Sequence, residues 1–170
     1  MKTKPPPPAY SRTKRDASFG EGGRDSYRSR RKPASPTVCP DCDAVFQDGR
    51  WQWAPAPVSS LRGVCPACHR IRDDFPAGYV TLKGEFVGQH RAEVLQLVHN
   101  VEAREKDEHP MQRIMKIVDQ GNGNASTVIT TTDIHLARGI GDALHHAYRG
   151  KLDYHYSPQE NLVRVLWERS

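Results

Sequence analysis

Two cysteine pairs, Cys39-Pro40-Asp41-Cys42 and Cys65-Pro66-Ala67-Cys68, constrain this chain more than any other feature. Each is a C-x-x-C turn, which brings two thiolates to one side of the backbone and leaves amides free to donate to sulfur. Together they offer four ligands, the number a closed tetrahedral zinc site needs. The chain has 4 cysteines, all of them in these pairs, and 22 residues separate Cys42 from Cys65. That gap is slightly longer than the commonest one and fits a ribbon with an extended central hairpin. Residues 37–78 are too few for a conventional apolar core, so a metal takes its place. With four protein ligands the zinc keeps no open position and is structural.

Three other chemistries use paired cysteines. Redox catalysis needs one C-x-x-C at a helix N-terminus beside a strand, and it leaves the second pair unexplained. Disulfides conflict with a reducing compartment. An iron–sulfur cluster takes the same four thiolates, and spacing does not separate it from zinc.

Charge is distributed unevenly. Residues 1–36 hold ten Lys or Arg against three Asp or Glu, a net of +7, while the whole chain is +5. The remainder is therefore slightly acidic, and the sequence pI of about 9.1 belongs to the N-terminal segment. This segment is rich in Pro, Ser, Gly and Arg and nearly free of aliphatic residues. It cannot bury enough apolar surface to offset chain entropy, and a disordered basic arm is expected. No stretch approaches the ~20 apolar residues of a membrane span. Met1-Lys2-Thr3-Lys4, followed by four prolines, has no apolar signal core. A cytoplasmic protein without membrane association is expected.

Residues 79–170 have the periodicities of an α/β unit, making the whole chain α+β. A strand is predicted over 79–87, interrupted by Gly84, and a helix over 91–108, with Val94, Leu97, Val98 and Val101 on one stripe. A strand over 113–118, a turn at 121–124 and a strand over 127–131 follow. Thr132 or Asp133 caps a second helix, whose buried stripe is Leu136, Ile140, Ala143, Leu144 and Ala147. Gly150 suits its C-terminal cap. Alternation at 152–156 and 163–167 predicts two closing strands. The order β-α-β-β-α-β-β implies an antiparallel or mixed sheet with both helices on one face.

Basic and aromatic residues suggest contact with nucleic acid. The arm carries Lys14, Arg15, Arg30, Arg31 and Lys32, whose charges suit a flexible segment lying along phosphates. Arg50, Trp51, Trp53, Arg62, Arg70 and Arg72 flank the cysteine pairs. Arginine binds phosphate bidentately, and tryptophan stacks on unpaired bases. The competing reading is that the tryptophans cover the ribbon's small core and the arm only solubilises. His69, adjacent to Cys68, is a spare ligand at best. His109, His135, His145 and His146 are read as cap or solvated histidines. No Ser-His-Asp order, phosphate-binding glycine loop or pair of catalytic carboxylates is present, so no enzyme is expected.

Two C-x-x-C knuckles, then Asp133-Ile134-His135-Leu136-Ala137-Arg138 on a helix, then Leu152-Asp153-Tyr154 leading to Arg164-Val165, form a wider pattern. Over residues 39–169 it resembles the N-terminal half of the large-ribosomal-subunit export adaptor family, the one named for nonsense-mediated decay. It is also similar in layout to small bacterial zinc-ribbon proteins. The resemblance implies zinc at Cys39, Cys42, Cys65 and Cys68 and docking on the large ribosomal subunit. This chain has fewer cysteines than that family and lacks its C-terminal regions, so nuclear export does not carry over. The expectation is an adaptor that binds ribosomal RNA or the large subunit in assembly, quality control or dormancy. The alternative is a zinc-dependent module binding protein or DNA in transcription or stress regulation.

Overall fold

A computed structural model describes residues 25–27, 31–121 and 126–170. Lys14, Arg15 and Arg30, three cations expected to meet nucleic acid, lie outside them.

The first unit is built on four short strands: β1 (Thr37–Val38), β2 (Val45–Gln47), β3 (Arg50–Gln52) and β4 (Leu61–Arg62). They lie in the order β3-β2-β1-β4, antiparallel except for the parallel pair β1–β4. The β2–β3 turn places Asp48 at φ 54° and Gly49 at φ 82°. Two consecutive positive φ values match the twist of a two-residue hairpin. The expected hairpin therefore follows directly on the first cysteine pair.

The second pair opens a helix, α1 (Pro66–Asp73), which the sequence reading did not include. Cys65 is its N-cap, and Pro66 sits at the first helical position, where a missing N–H costs nothing. Asp74 ends it in the left-handed region at φ 50°.

The second unit contains β5 (Gly78–Lys83), α2 (Glu85–Gln89), α3 (Arg91–Glu108), β6 (Ile114–Gln120), β7 (Ser126–Thr131), α4 (Ile134–Tyr148), β8 (Lys151–Ser157) and β9 (Leu162–Glu168). Its sheet order is β6-β7-β5-β9-β8, and β5–β9 is the parallel pair. The sheet is thus mixed. Val80, Leu82, Ile129, Val163, Val165 and Trp167 point to one face. There they meet Val94, Val98 and Val101 of α3 and Leu136, Ile140 and Leu144 of α4. Both long helices cover this one face, as the alternation in the strands requires.

Two details differ from expectation. The strand predicted over 79–87 stops at Lys83, because Gly84 adopts φ 105° and a Cβ there would run into the Arg169 carbonyl. Phe86 and Val87 then turn into α2 and pack into the core from a helix. On α4, Ala147 is exposed, and the small residues Ala137 and Gly141 are buried in its place. Small side chains let the helix approach the sheet there. Asp133 caps α4 as expected, its carboxylate accepting from the backbone N–H of His135 (2.7 Å) and Leu136 (3.2 Å).

Candidate metal centre

Four sulfurs converge between the ribbon strands and the start of α1. Cys39 and Cys42 come from the turn between β1 and β2, closed by Asp43 N–H to Cys39 O (2.9 Å) and Cys39 N–H to Ala44 O (2.8 Å). Cys65 and Cys68 come from the first turn of α1. All four Sγ atoms lie within 4.8 Å of one another, with Cys42 and Cys65 at 3.8 Å. A tetrahedral ion with metal–sulfur bonds of about 2.3 Å needs its sulfurs about 3.8 Å apart. The donor set fits one metal ion, and no pair is disulfide-bonded. Among the described residues it is the one group of three or more His, Cys, Asp or Glu side chains so arranged.

The environment favours thiolates bound to a cation. Cys39, Cys65 and Cys68 are buried and Cys42 is half-buried. Burial pushes the Cys65 thiol well above its ordinary range and that of Cys68 up to about 11. Burial also pushes Cys39 upward, but hydrogen bonds from the backbone of Cys65, Asp41 and Cys42 outweigh it and hold this thiol low. The Cys65 N–H donates to Cys39 Sγ (3.3 Å), and the Cys68 N–H to Cys65 Sγ (3.4 Å). Four thiols in so small a pocket resist losing their protons together, and a bound cation is what makes that favourable. The second pair does sit at a helix N-terminus, the placement redox chemistry would use. Cys39 and Cys42 stand in the same pocket, however, and a two-thiol redox motif has no use for them.

Arg113 is the residue the sequence reading missed. It precedes β6 and was expected only to start a strand. Its side chain is instead buried against the sulfurs, with Nη1 donating to Cys68 Sγ (3.2 Å) and Nη2 to Cys42 Sγ (3.1 Å) and Cys65 Sγ (3.7 Å). Nε donates to the Pro110 carbonyl (2.7 Å), and the backbone N–H to Thr132 Oγ1 (2.9 Å). The sulfurs raise the pKa of the guanidinium against the opposing effect of burial. Trp53 lies across it, with the guanidinium carbon 5.5 Å from the ring centre, and its indole N–H donates to the Lys106 carbonyl at the end of α3 (2.8 Å). The centre is thus held from both units. Nothing in the sequence near Arg113 marks it, since its partners lie far away along the chain.

The residues expected to touch nucleic acid divide by placement. Arg70 is buried, its guanidinium bonded to Asp25 (2.6 Å) and the Phe75 carbonyl (3.0 Å) and stacked over Tyr27. Trp51 is half-buried, meets Phe46 edge-on and packs against the cysteines. The recognition groups of these two side chains are engaged within the fold. Arg72 is exposed but forms a bidentate pair with Asp41 (2.7 and 2.6 Å). Arg50 and Arg62 are exposed on opposite edges of the ribbon sheet. Arg31 and Lys32 are exposed, and Lys32 reaches the hairpin tip beside Gly49. The basic segment is also fastened to α1, since the Tyr27 hydroxyl donates to Asp73 (2.8 Å) in addition to the Asp25–Arg70 pair.

His69, His135 and His146 are exposed and His145 is half-buried; none joins a metal-binding group among the described residues. No helix among the described residues is long and apolar enough to cross a membrane. No protein-family model matches the chain, and neither a curated protein nor a solved structure matches it.

Proposed function

We propose that this chain is a non-enzymatic zinc-binding adaptor that attaches to RNA. The convergence of four sulfurs on one point carries the reading. Four thiolates complete a tetrahedral shell, leave no position for substrate or water, and make the ion a structural one. A single ion also fits the spacing better than a multi-iron cluster, whose thiolates sit on different irons and stand further apart. Zinc is the natural occupant of a closed four-thiolate site without redox work.

The RNA reading draws on exposed cations of the ribbon. Lys32 reaches the hairpin tip beside Gly49, next to which Arg50 starts β3 and is exposed. Phosphates are the complementary partner for such a set. The ribosomal setting, with the large subunit or its RNA as partner, comes from the resemblance in the closing helix and hairpin.

The test is fluorescence anisotropy of the zinc-loaded chain with single-stranded and duplex RNA across a salt series. Binding should weaken steeply, with a log–log slope of about −0.7 per neutralised phosphate on single strands. A chain lacking residues 1–24 should bind more weakly and with a shallower slope. Binding that ignores salt, or no binding to RNA, would remove the RNA reading. A discrete protein co-purifying in place of ribosomal RNA would favour the regulatory alternative.

A further inference from the structure

Arg113 is charged, buried and bonded to no carboxylate among the described residues. Burying an unmatched guanidinium is strongly unfavourable. Four thiolates on a divalent ion would match it, because together they carry a formal double negative charge.

We propose that Arg113 is the fixed counter-charge of the metal centre and the latch that fastens it to the α/β unit. This rests on the reading of the four cysteines as a metal site. The fork is also oriented by bonds that do not involve the sulfurs. Its Nε is tied to the Pro110 carbonyl, its backbone N–H to Thr132, and the Thr132 hydroxyl donates in turn to the Met111 carbonyl (2.6 Å). The guanidinium plane is therefore set by the loop before β6 and by the end of β7. The ribbon brings its sulfurs to this plane.

The donors are placed where the centre is weakest. Cys42 is the one ligand that is not buried, hence the sulfur a competing chelator or an electrophile reaches first. It receives the shortest of the three N–H···S contacts. Trp53 lies across the guanidinium and adds a cation–π contact. Lysine cannot replace the fork, because a single ammonium does not span two sulfurs and a carbonyl at once.

The test compares full-length wild type with R113A, R113Q and R113K, using cobalt(II) and zinc(II) as probes. Outer-shell partners of metal ligands typically contribute about 10–100-fold in affinity. R113A and R113Q should weaken metal binding by about that factor in chelator competition, and R113K, which keeps the charge, by less. Loss of N–H···S bonds destabilises the sulfur lone pairs, so the thiolate-to-cobalt charge-transfer bands should move to lower energy in the variants. Amide exchange over residues 106–113 should rise in R113A even with metal bound. Variants that match the wild type in affinity and band position overturn the proposal. Should R113A not fold, R113Q and R113K fill the slot and carry the same comparison. A wild type that takes up cobalt without thiolate bands refutes the metal reading itself, which is a separate failure.

Discussion

Removing the metal should unfold one half of this protein and spare the other. The ribbon has few large buried side chains, chiefly Val45 and Phe46, each contributing about 1.5–3 kcal/mol when fully buried. Ordering its backbone opposes this at about 1–2 kcal/mol per residue. A structural zinc ion in such a four-thiolate site contributes about 10–16 kcal/mol at neutral pH, so a metal held by the four cysteines would be the deciding term. The α/β unit owes nothing to the ion, since its core is formed by Trp167, Leu82, Ile129, Leu136, Ile140, Leu144 and several valines, all inaccessible to solvent. Hydrogen exchange read by mass spectrometry, with and without a strong chelator, follows each unit separately. Peptides from 37–73 should lose nearly all protection, while peptides from 126–168 keep theirs. Peptides around Arg113 should loosen without unfolding, because the loop before β6 keeps its bonds to Thr132. A single transition, with both units losing protection together, would refute the idea that they have separate sources of stability. So would a ribbon that stays protected after the metal is gone.

Two further expectations concern single residues. A Cβ on Gly141 would stand 2.6 Å from Val165 Cγ1 and 3.1 Å from Leu152 Cδ1, whereas one on Gly139 meets nothing within 4 Å. Gly139→Ala should therefore stabilise α4 by up to about 1 kcal/mol, and Gly141→Ala should lose about 1–3 kcal/mol to overpacking; equal melting temperatures would contradict this. The hydrogen bond from Arg72 holds the Asp41 carboxyl below its usual range. Such a group favours the fold above the ordinary carboxylate pKa, and the benefit is lost as pH falls through the depressed value. By NMR titration, Arg72→Ala should move Asp41 back up and leave Asp119, held low by Thr127 and then Arg91, unchanged.

The sequence was legible where a physical signal is local. The bounds of α3 follow from its apolar stripe and from Pro110, the Asp133 cap from its position before an apolar run, and the closing strands from alternation. The cysteine pairs were legible for the same reason, since each turn is four residues long. The start of α1 also had a local mark, proline directly after Cys65, but a C-x-x-C turn reads the same whether a strand or a helix follows. Gly84 marked the end of β5, and the aromatic and β-branched residues after it suggested strand where tertiary packing makes a helix. Arg113 and the clasp of Asp25 and Tyr27 on α1 had no local mark. Each is a charged or polar residue whose meaning lies in a partner more than forty positions away.

The parallel pairing of β5 with β9 sets the order in which a nascent chain can acquire structure. Gly78 aligns with Val163, so the sheet's central strand waits for the far end of the chain before its second edge is covered. The cysteine turns and the β2–β3 hairpin are complete in sequence long before that. A newly made ribbon can therefore complete its four-sulfur pocket while residue 113 is still unmade, and for that interval Cys42 lacks the guanidinium that later donates to it.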